Sequence, residues 1–360
     1  MEEFSLETKI VAGSGAIAAL KSLGAKRLFL VTDPFFVKNG TAKRVAAASG
    51  AEETEYCEDI RPDPTVELAA EGTARLKKFG PDLLVALGGG SAMDCAKAMA
   101  YFGGTNIPLA AIPTTSGSGS EATDFAVLTH GNTKYPLVDP RLRPKLAILD
   151  SDLLRELPPA LIADTGFDVL THAVESYTAP NSGTIPDLLA AEAFRTAYAC
   201  LPASYAGDTS VRLRLHMAST LAGISFSHSG LGLCHAMSHA LGGRFHVPHG
   251  RLNAILLPAV IGSNAQGAGK KYARLARAAG LGGSADIVAL RNLKNGLVRL
   301  RRDLGLPQTL AQAGVSPGQV WSDTGAIVEA VLSDPCCKTN PIPVEDFQVR
   351  RILEEVTGNL

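Results

Sequence analysis

The chain lacks several things, and most of these lacks remove a class of function. It has no charge excess: 34 Lys and Arg stand against 35 Asp and Glu, a formal net charge of -1. Nothing in that balance favours a polyanion, so nucleic acid is not an expected partner. Short basic clusters such as Arg141–Lys145 and Arg299–Arg302 read as solvated faces or turns. No uninterrupted apolar run of about 18 residues occurs, so no membrane helix is expected. No basic stretch followed by an apolar run opens the chain, so no secretory signal is expected either. The six cysteines show no Cys-x-x-Cys spacing, and the neighbours Cys336 and Cys337 make no ready disulfide. Free thiols in a reducing cytoplasm are the expectation. No internal repeat or low-complexity segment is visible.

What is present is length and pattern. At 360 residues with 46% hydrophobic content, two domains are the default. In the first 150 residues short apolar runs alternate with helical stretches. RLFLVTD (27–33), DLLVALGGG (82–90), IPLAAIPTT (107–115) and KLAILD (145–150) read as buried strands. Near-continuous apolar strands separated by helices indicate a parallel sheet covered on both faces. Past residue 152 the strand signal fades and Ala- and Leu-rich segments at helical period take over, DLLAAEAFRTAYACL and DIVALRNLKNGLVRLRRDLG among them. The expected division is an α/β dinucleotide-type domain over residues 1–155 and an all-helical domain over 156–360. The segment around Pro335–Pro343 reads as a surface connection by its composition.

Two glycine-rich or small-residue loops follow strands in the first domain. LVALGGGSAMD lets the backbone approach a phosphate closely, and the helix after it offers free N–H groups. Ser91 fits both as that helix's cap and as a phosphate donor. The pattern is neither Gly-x-Gly-x-x-Gly nor a Walker A loop, so a plain strand-to-helix turn remains a competing reading. PTTSGSGSE (113–121) supplies the hydroxyls of Thr114, Thr115 and Ser118, which suit phosphate or ribose, or else a flexible turn. Asp33 ends the first clear strand. A carboxylate there accepts from adenosine ribose hydroxyls and repels a 2′-phosphate, favouring NAD over NADP; simple turn capping is the alternative.

In the helical domain, Asp168 and His172 are four apart in FDVLTHAVE, which puts them on one helix face about 6 Å apart at Cβ. His235 lies in GLCHAMSHALGG and His249 in HVPHG, fourteen residues later. One carboxylate and three imidazoles suit Fe(II), Zn(II) or a similar first-row ion. A lone histidine on an apolar face is more often a core residue, but here four of the eight histidines fall between residues 235 and 249. Cys234 beside a ligand position reads as a buried thiol rather than an extra donor.

The stretches VTD (31–33), ALGGGSAMDCAKA (86–98), AIPTTSGSGSEAT (111–123), DTGFDVLTHAVES (164–176), GLGLCHAMSHALGG (230–243) and HVPHGRLNAILLP (246–258) together resemble the iron-dependent, group III alcohol dehydrogenases. The resemblance runs essentially end to end, and within the family it leans toward the branch that handles 1-propanol and propanal in bacterial microcompartments. It implies a Rossmann-like N-terminal domain with an all-α C-terminal domain, the dehydroquinate synthase-like fold. It implies that Asp168, His172, His235 and His249 hold the metal, Fe(II) with Zn(II) as the alternative. His239 matches a histidine near nicotinamide and substrate, a candidate proton relay or packing residue. Gly89, Gly90, Ser91 and Asp94 match the pyrophosphate loop, with Gly88 structural. Thr114, Thr115 and Ser118 match the second nucleotide loop. Lys134 and Leu153 fall where the family contacts ribose, adenine or the nicotinamide side, and Asp33 matches the residue favouring NAD.

The implied activity is hydride transfer between NAD(H) and a short primary alcohol or aldehyde, with the ion as Lewis acid. The implied setting is cytoplasmic or inside a protein shell, as a homodimer or larger homo-oligomer. Glycerol dehydrogenase and maleylacetate reductase activity on the same fold are the near alternatives. A metal-dependent hydrolase is a more distant one, since it has no use for the nucleotide loops.

Overall fold

The computed structural model describes residues 2–104, 106–131 and 133–358. Two compact units result, one of residues 5–157 and one of residues 158 onward joined by residues 2–4.

The first unit is built on β1 (Lys9–Gly13), β2 (Arg27–Thr32), β3 (Glu53–Cys57), β4 (Leu83–Gly88), β5 (Leu109–Pro113) and, after a hairpin, β8 (Leu146–Asp150). These six pair in parallel in the order β1-β8-β5-β4-β2-β3. The helices α1 (Pro34–Lys38), α2 (Thr41–Ser49), α3 (Val66–Phe79) and α4 (Gly90–Gly103) connect them. Alternation along each strand sorts the side chains into two cores. Phe29, Val31, Leu84, Ala86 and Ala111 face α3 and α4. Leu28, Leu30, Leu83, Val85, Ala110 and Ile112 face the other way, with Ala42 and Val45 of α2. The central β4, β5 and β8 are buried at every position, which is why they read as unbroken apolar runs. Edge strand β1 is mostly exposed, and its sequence gave little strand signal. The antiparallel pair β6 (Phe125–His130) and β7 (Thr133–Val138) was not expected. Its alternation is interrupted by polar residues and by Pro136.

The second unit is helical, as its Ala- and Leu-rich period predicts. It comprises α5 (Pro159–Thr178), α6 (Thr184–Tyr205), α7 (Arg212–Ser229), α8 (Leu233–Phe245), α9 (His249–Ser263), α10 (Ala265–Ala278), α11 (Asp286–Asp303), α12 (Pro317–Ser333) and α13 (Asp346–Thr357). Helix α5 lies against α6, α7 and α9, so 16 of its 20 residues are buried. The approach to α9 is tight. A Cβ on Gly250 would sit 2.0 Å from the Asp164 carbonyl oxygen, so only glycine lets the two helices come this close. The Arg251 guanidinium then grips the Asp164 carboxylate through both nitrogens, at 3.1 and 2.9 Å. Further along α9, Pro258 has no N–H for the Ala254 carbonyl. Buried Arg301 of α11 fills the gap, donating Nη1 to Ala254 O and Ile255 O, both at 3.0 Å. No helix among the described residues is long and apolar enough to cross a membrane.

The segment after α12 lies at the surface over Pro335–Pro343, as expected, with one exception, the buried Asn340. Pro335–Thr339 forms a 3-10 turn, and Asn340 is buried. Asn340 Oδ1 accepts from Leu233 N at 3.1 Å and Asn264 Nδ2 at 2.8 Å. Proline content marked the break in the chain but not the interior hydrogen bonds that follow it.

Candidate metal centre and nucleotide edge

Helix α5 presents Asp168 and His172 one turn apart on its buried face. Helix α8 ends at His246 with φ 54, a left-handed residue that stops it. Pro248 then precedes α9, whose first residue is His249. Ligand atoms thus arrive from three helices of a single unit. His172 Nε2 and His235 Nε2 each lie 3.8 Å from Asp168 Oδ1, and His249 Nε2 lies 3.6 Å from it. Two ligand atoms about 2.1 Å from one tetrahedral ion would be about 3.4 Å apart. The ligand atoms of Asp168, His235 and His249 all lie within 4.8 Å of one another, a slightly open cage. His172 stands beside that group, close to Asp168 but outside the set. Buried His235 Nε2 has no hydrogen-bond partner, an orphan that a metal ion would satisfy. The imidazoles pack by stacking: His172 on Phe226 at 4.7 Å and on His235 at 4.6 Å between centroids. Side-chain exposure is 1% at His235, 6% at His172 and 30% at His249, so the cage is approached from the His249 side.

Behind the cage lies a second layer that the sequence reading missed. Glu175 Oε2 faces His235 Nδ1 at 2.6 Å, and Glu175 also accepts from the backbone N–H groups of Gly232, Cys234 and His235. One buried carboxylate therefore caps α8 and leaves His235 Nε2 as the nitrogen for an ion. Asn253 of α9 donates to Asp168 Oδ1 at 2.7 Å and accepts from Ser238 Oγ at 2.5 Å. A signal for Glu175 existed: it stands seven residues after Asp168 on the same helical stripe. Burial alone would raise the Asp168 carboxyl, but the His172, His235 and His249 imidazoles outweigh it and hold it well below the usual range. Burial likewise works against charge on His235, yet the facing Asp168 and Glu175 carboxylates push it up to about 9. Such a site prefers a cation. Cys234 is a buried thiol, its pKa raised by burial, with Sγ directed at Asn253.

His239 is one turn past His235 and stacks on His249, centroids 5.3 Å apart and planes 15° apart. Its Nδ1 lies 2.9 Å from Asp334 Oδ2. Burial opposes ionisation of Asp334, but His239 and the Cys336 N–H overcome it and hold the carboxyl below its ordinary value.

In the other unit, the expected nucleotide residues gather at the carboxyl edge of neighbouring strands, the place where doubly wound sheets bind ligands. Asp33 follows β2, Gly89–Ser91 follow β4, and Thr114–Ser118 follow β5. The loops touch. Thr114 N donates to Gly88 O at 3.0 Å. A Cβ on Gly89 would lie 3.3 Å from Thr115 Oγ1, and one on Gly90 3.4 Å from Ser118. Gly88 has φ 152, and a Cβ there would meet the Ala92 Cβ at 2.8 Å, so glycine is required at that position. Asp33 Oδ1 caps α1 through Phe35 N and Phe36 N, which leaves Oδ2 uncommitted among the described residues; burial raises its pKa.

Asp94 is half-buried, accepting from Ser120 Oγ at 3.0 Å and Val127 N at 3.1 Å. Lys97, fully buried, donates to Ser120, Thr123 and Phe125. Together they hold the small-residue loop from beneath. Lys134 pairs with Asp63 at 2.6 Å, and Leu153 packs against the core after β8.

Comparison with known proteins agrees with this arrangement. Residues 7–151 match the iron-containing alcohol dehydrogenase model, and residues 162–357 match the Fe-containing alcohol dehydrogenase family, C-terminal. The chain is 39% identical over 369 residues to the 1-propanol dehydrogenase PduQ of Salmonella typhimurium, covering 99% of this chain and 100% of that one. It is 35% identical to an NADPH-dependent butanol dehydrogenase of Clostridium saccharobutylicum, covering 98% and 97%. The iron-containing alcohol dehydrogenase of Thermococcus thioreducens superposes with a TM-score of 0.90 at 33% identity, covering 98% and 99%.

Proposed function

Because the chain belongs to the iron-containing alcohol dehydrogenase family, we propose that it interconverts short primary alcohols and aldehydes, 1-propanol and propanal foremost, using NAD(H) and Fe(II). The observation that carries this reading is the convergence of three imidazole nitrogens on one oxygen of Asp168, backed by Glu175. Asp168, His172, His235 and His249 would hold a divalent ion, which would supply Lewis acidity to an alcohol or carbonyl oxygen, and a bound nicotinamide would supply the hydride chemistry. The residues do the rest. Glu175 and Asn253 hold His235 and Asp168 in place. Gly89, Gly90 and Ser91 admit a pyrophosphate, with Thr114, Thr115 and Ser118 as hydroxyl donors. Asp33 Oδ2 accepts from a ribose hydroxyl and disfavours a 2′-phosphate. His239 accepts the alcohol proton on oxidation and returns it on reduction.

The name of the butanol-dehydrogenase relative makes NADP the second reading of the cofactor, and Asp33 argues against it. The test is metal analysis of the purified enzyme beside a panel of ethanol, 1-propanol, 1-butanol, propanal and lactaldehyde with NAD(H) and NADP(H). The expected result is iron-supported turnover, fastest for the three-carbon pair with NAD(H). Hydrolysis without any nucleotide change, or turnover indifferent to chelation, would overturn it.

A further inference from the structure

The contact between His239 and Asp334 is built more firmly than a surface ion pair. Both side chains are largely buried, 19% and 14% exposed. Asp334 uses its second oxygen, Oδ1, to accept from Cys336 N at 2.8 Å, so it caps the Pro335–Thr339 turn while facing the histidine. That turn is bolted to the start of α8 at two points: Thr339 Oγ1 donates to Leu231 O at 2.6 Å, and Asn340 Oδ1 accepts from Leu233 N. Helix α8 carries His239. Carboxylate and imidazole are thus mounted on one frame, with little freedom to part.

We propose that Asp334 is a positioning residue that fixes His239 as the Nδ1–H tautomer and leaves Nε2 as the proton acceptor. An ionised carboxylate only accepts hydrogen bonds, so the imidazole nitrogen 2.9 Å away must carry the proton. Were an alcohol oxidised with NAD+ there, its hydroxyl proton would pass to Nε2 and its hydride to the nicotinamide, Asp334 would balance the imidazolium, and the proton would then leave to solvent. This step rests on the reading of His239 as the acid–base group; the tautomer itself does not.

The experiment pairs Asp334→Asn with side-chain nitrogen NMR of the full chain loaded with zinc, which is diamagnetic. In the variant the Cys336 N–H still needs an acceptor, so the amide oxygen turns to it and the NH2 faces His239, forcing the Nε2–H tautomer. We expect kcat to fall about 10²–10⁴-fold, the range of general acid–base catalysis, with metal content and the KM for nucleotide unchanged. In the wild type the spectrum should show His239 protonated at Nδ1. A variant with kcat within about threefold of wild type, or a wild-type His239 protonated at Nε2, overturns the proposal. Should the wild type turn over no alcohol with either nucleotide, the functional reading fails, and the spectrum still decides the tautomer.

Discussion

In the helical half, the proposed recognition is concentrated in four titratable side chains, two of them held by buried partners, His235 by Glu175 and Asp168 by Asn253. In the α/β half it is spread over backbone and small residues at a sheet edge, where the side chains that matter most are the ones glycine does not have. Two charged groups of that half, Asp94 and Lys97, are engaged in holding a loop. A side-chain cage fails when one member is removed. A backbone cradle fails when something is added. The two halves should therefore respond to opposite kinds of substitution.

The largest effect is expected from His249→Ala, which takes away the ligand on the open side of the cage. Bound metal should fall to background and turnover by more than the roughly 100-fold that loss of an outer partner costs; metal analysis and steady-state kinetics check both, and retained iron would remove His249 from the set. Glu175→Gln comes next. It keeps the shape but not the charge behind His235, so metal affinity should drop about 10–100-fold with nucleotide binding untouched, as competition with a chelator would report.

The cage should also answer to pH. The metal-free His235 holds a proton up to about 9, and an ion can take Nε2 only after that proton leaves. Affinity should thus rise about tenfold per pH unit from neutrality and level off above about pH 9; a flat titration over that span would contradict the pairing with Asp168 and Glu175. The rise should flatten in Glu175→Gln.

In the cradle, Gly88→Ala adds a methyl where φ is 152 and Ala92 is 2.8 Å away. Strain of about 1–3 kcal/mol should appear as a raised KM for NAD(H) with metal content intact. The smallest effect is expected from Asp33→Asn, which preserves the cap on α1 and removes only the charge. Two unit charges about 4 Å apart in water are worth about 1 kcal/mol, so the NADP-to-NAD activity ratio should rise roughly fivefold, and an unmoved ratio would leave Asp33 a capping residue only.

This contrast also explains what could be read before any coordinates. Asp168 and His172 show in the chain because helical spacing alone brings them together, and β4 and β5 because both their faces are buried. His235 and His249 stood out by density and by the glycines around them, but nothing local says that α8 and α9 turn their histidines toward α5. Glu175 was within reach of the same helical period that picked out His172. Asp334, Asn253 and Asn340 were not, since each acts through a partner 85 to 107 residues away. The β6–β7 hairpin escaped because its buried alternation is short, Ala126 and Leu128 of β6, and is broken by polar residues and Pro136.

All four proposed ligand positions belong to one compact unit, so a bound ion would tie helix to helix within it. By mass action it adds roughly 2.7 kcal/mol to that half when present at 100 times its dissociation constant. Stripping it should lower the unfolding temperature of that unit. If the proposed function holds, protein that has lost its metal would still retain dinucleotide on an affinity column while catalysing nothing, so retention there is no measure of competence, and preparations are better standardised by metal per chain.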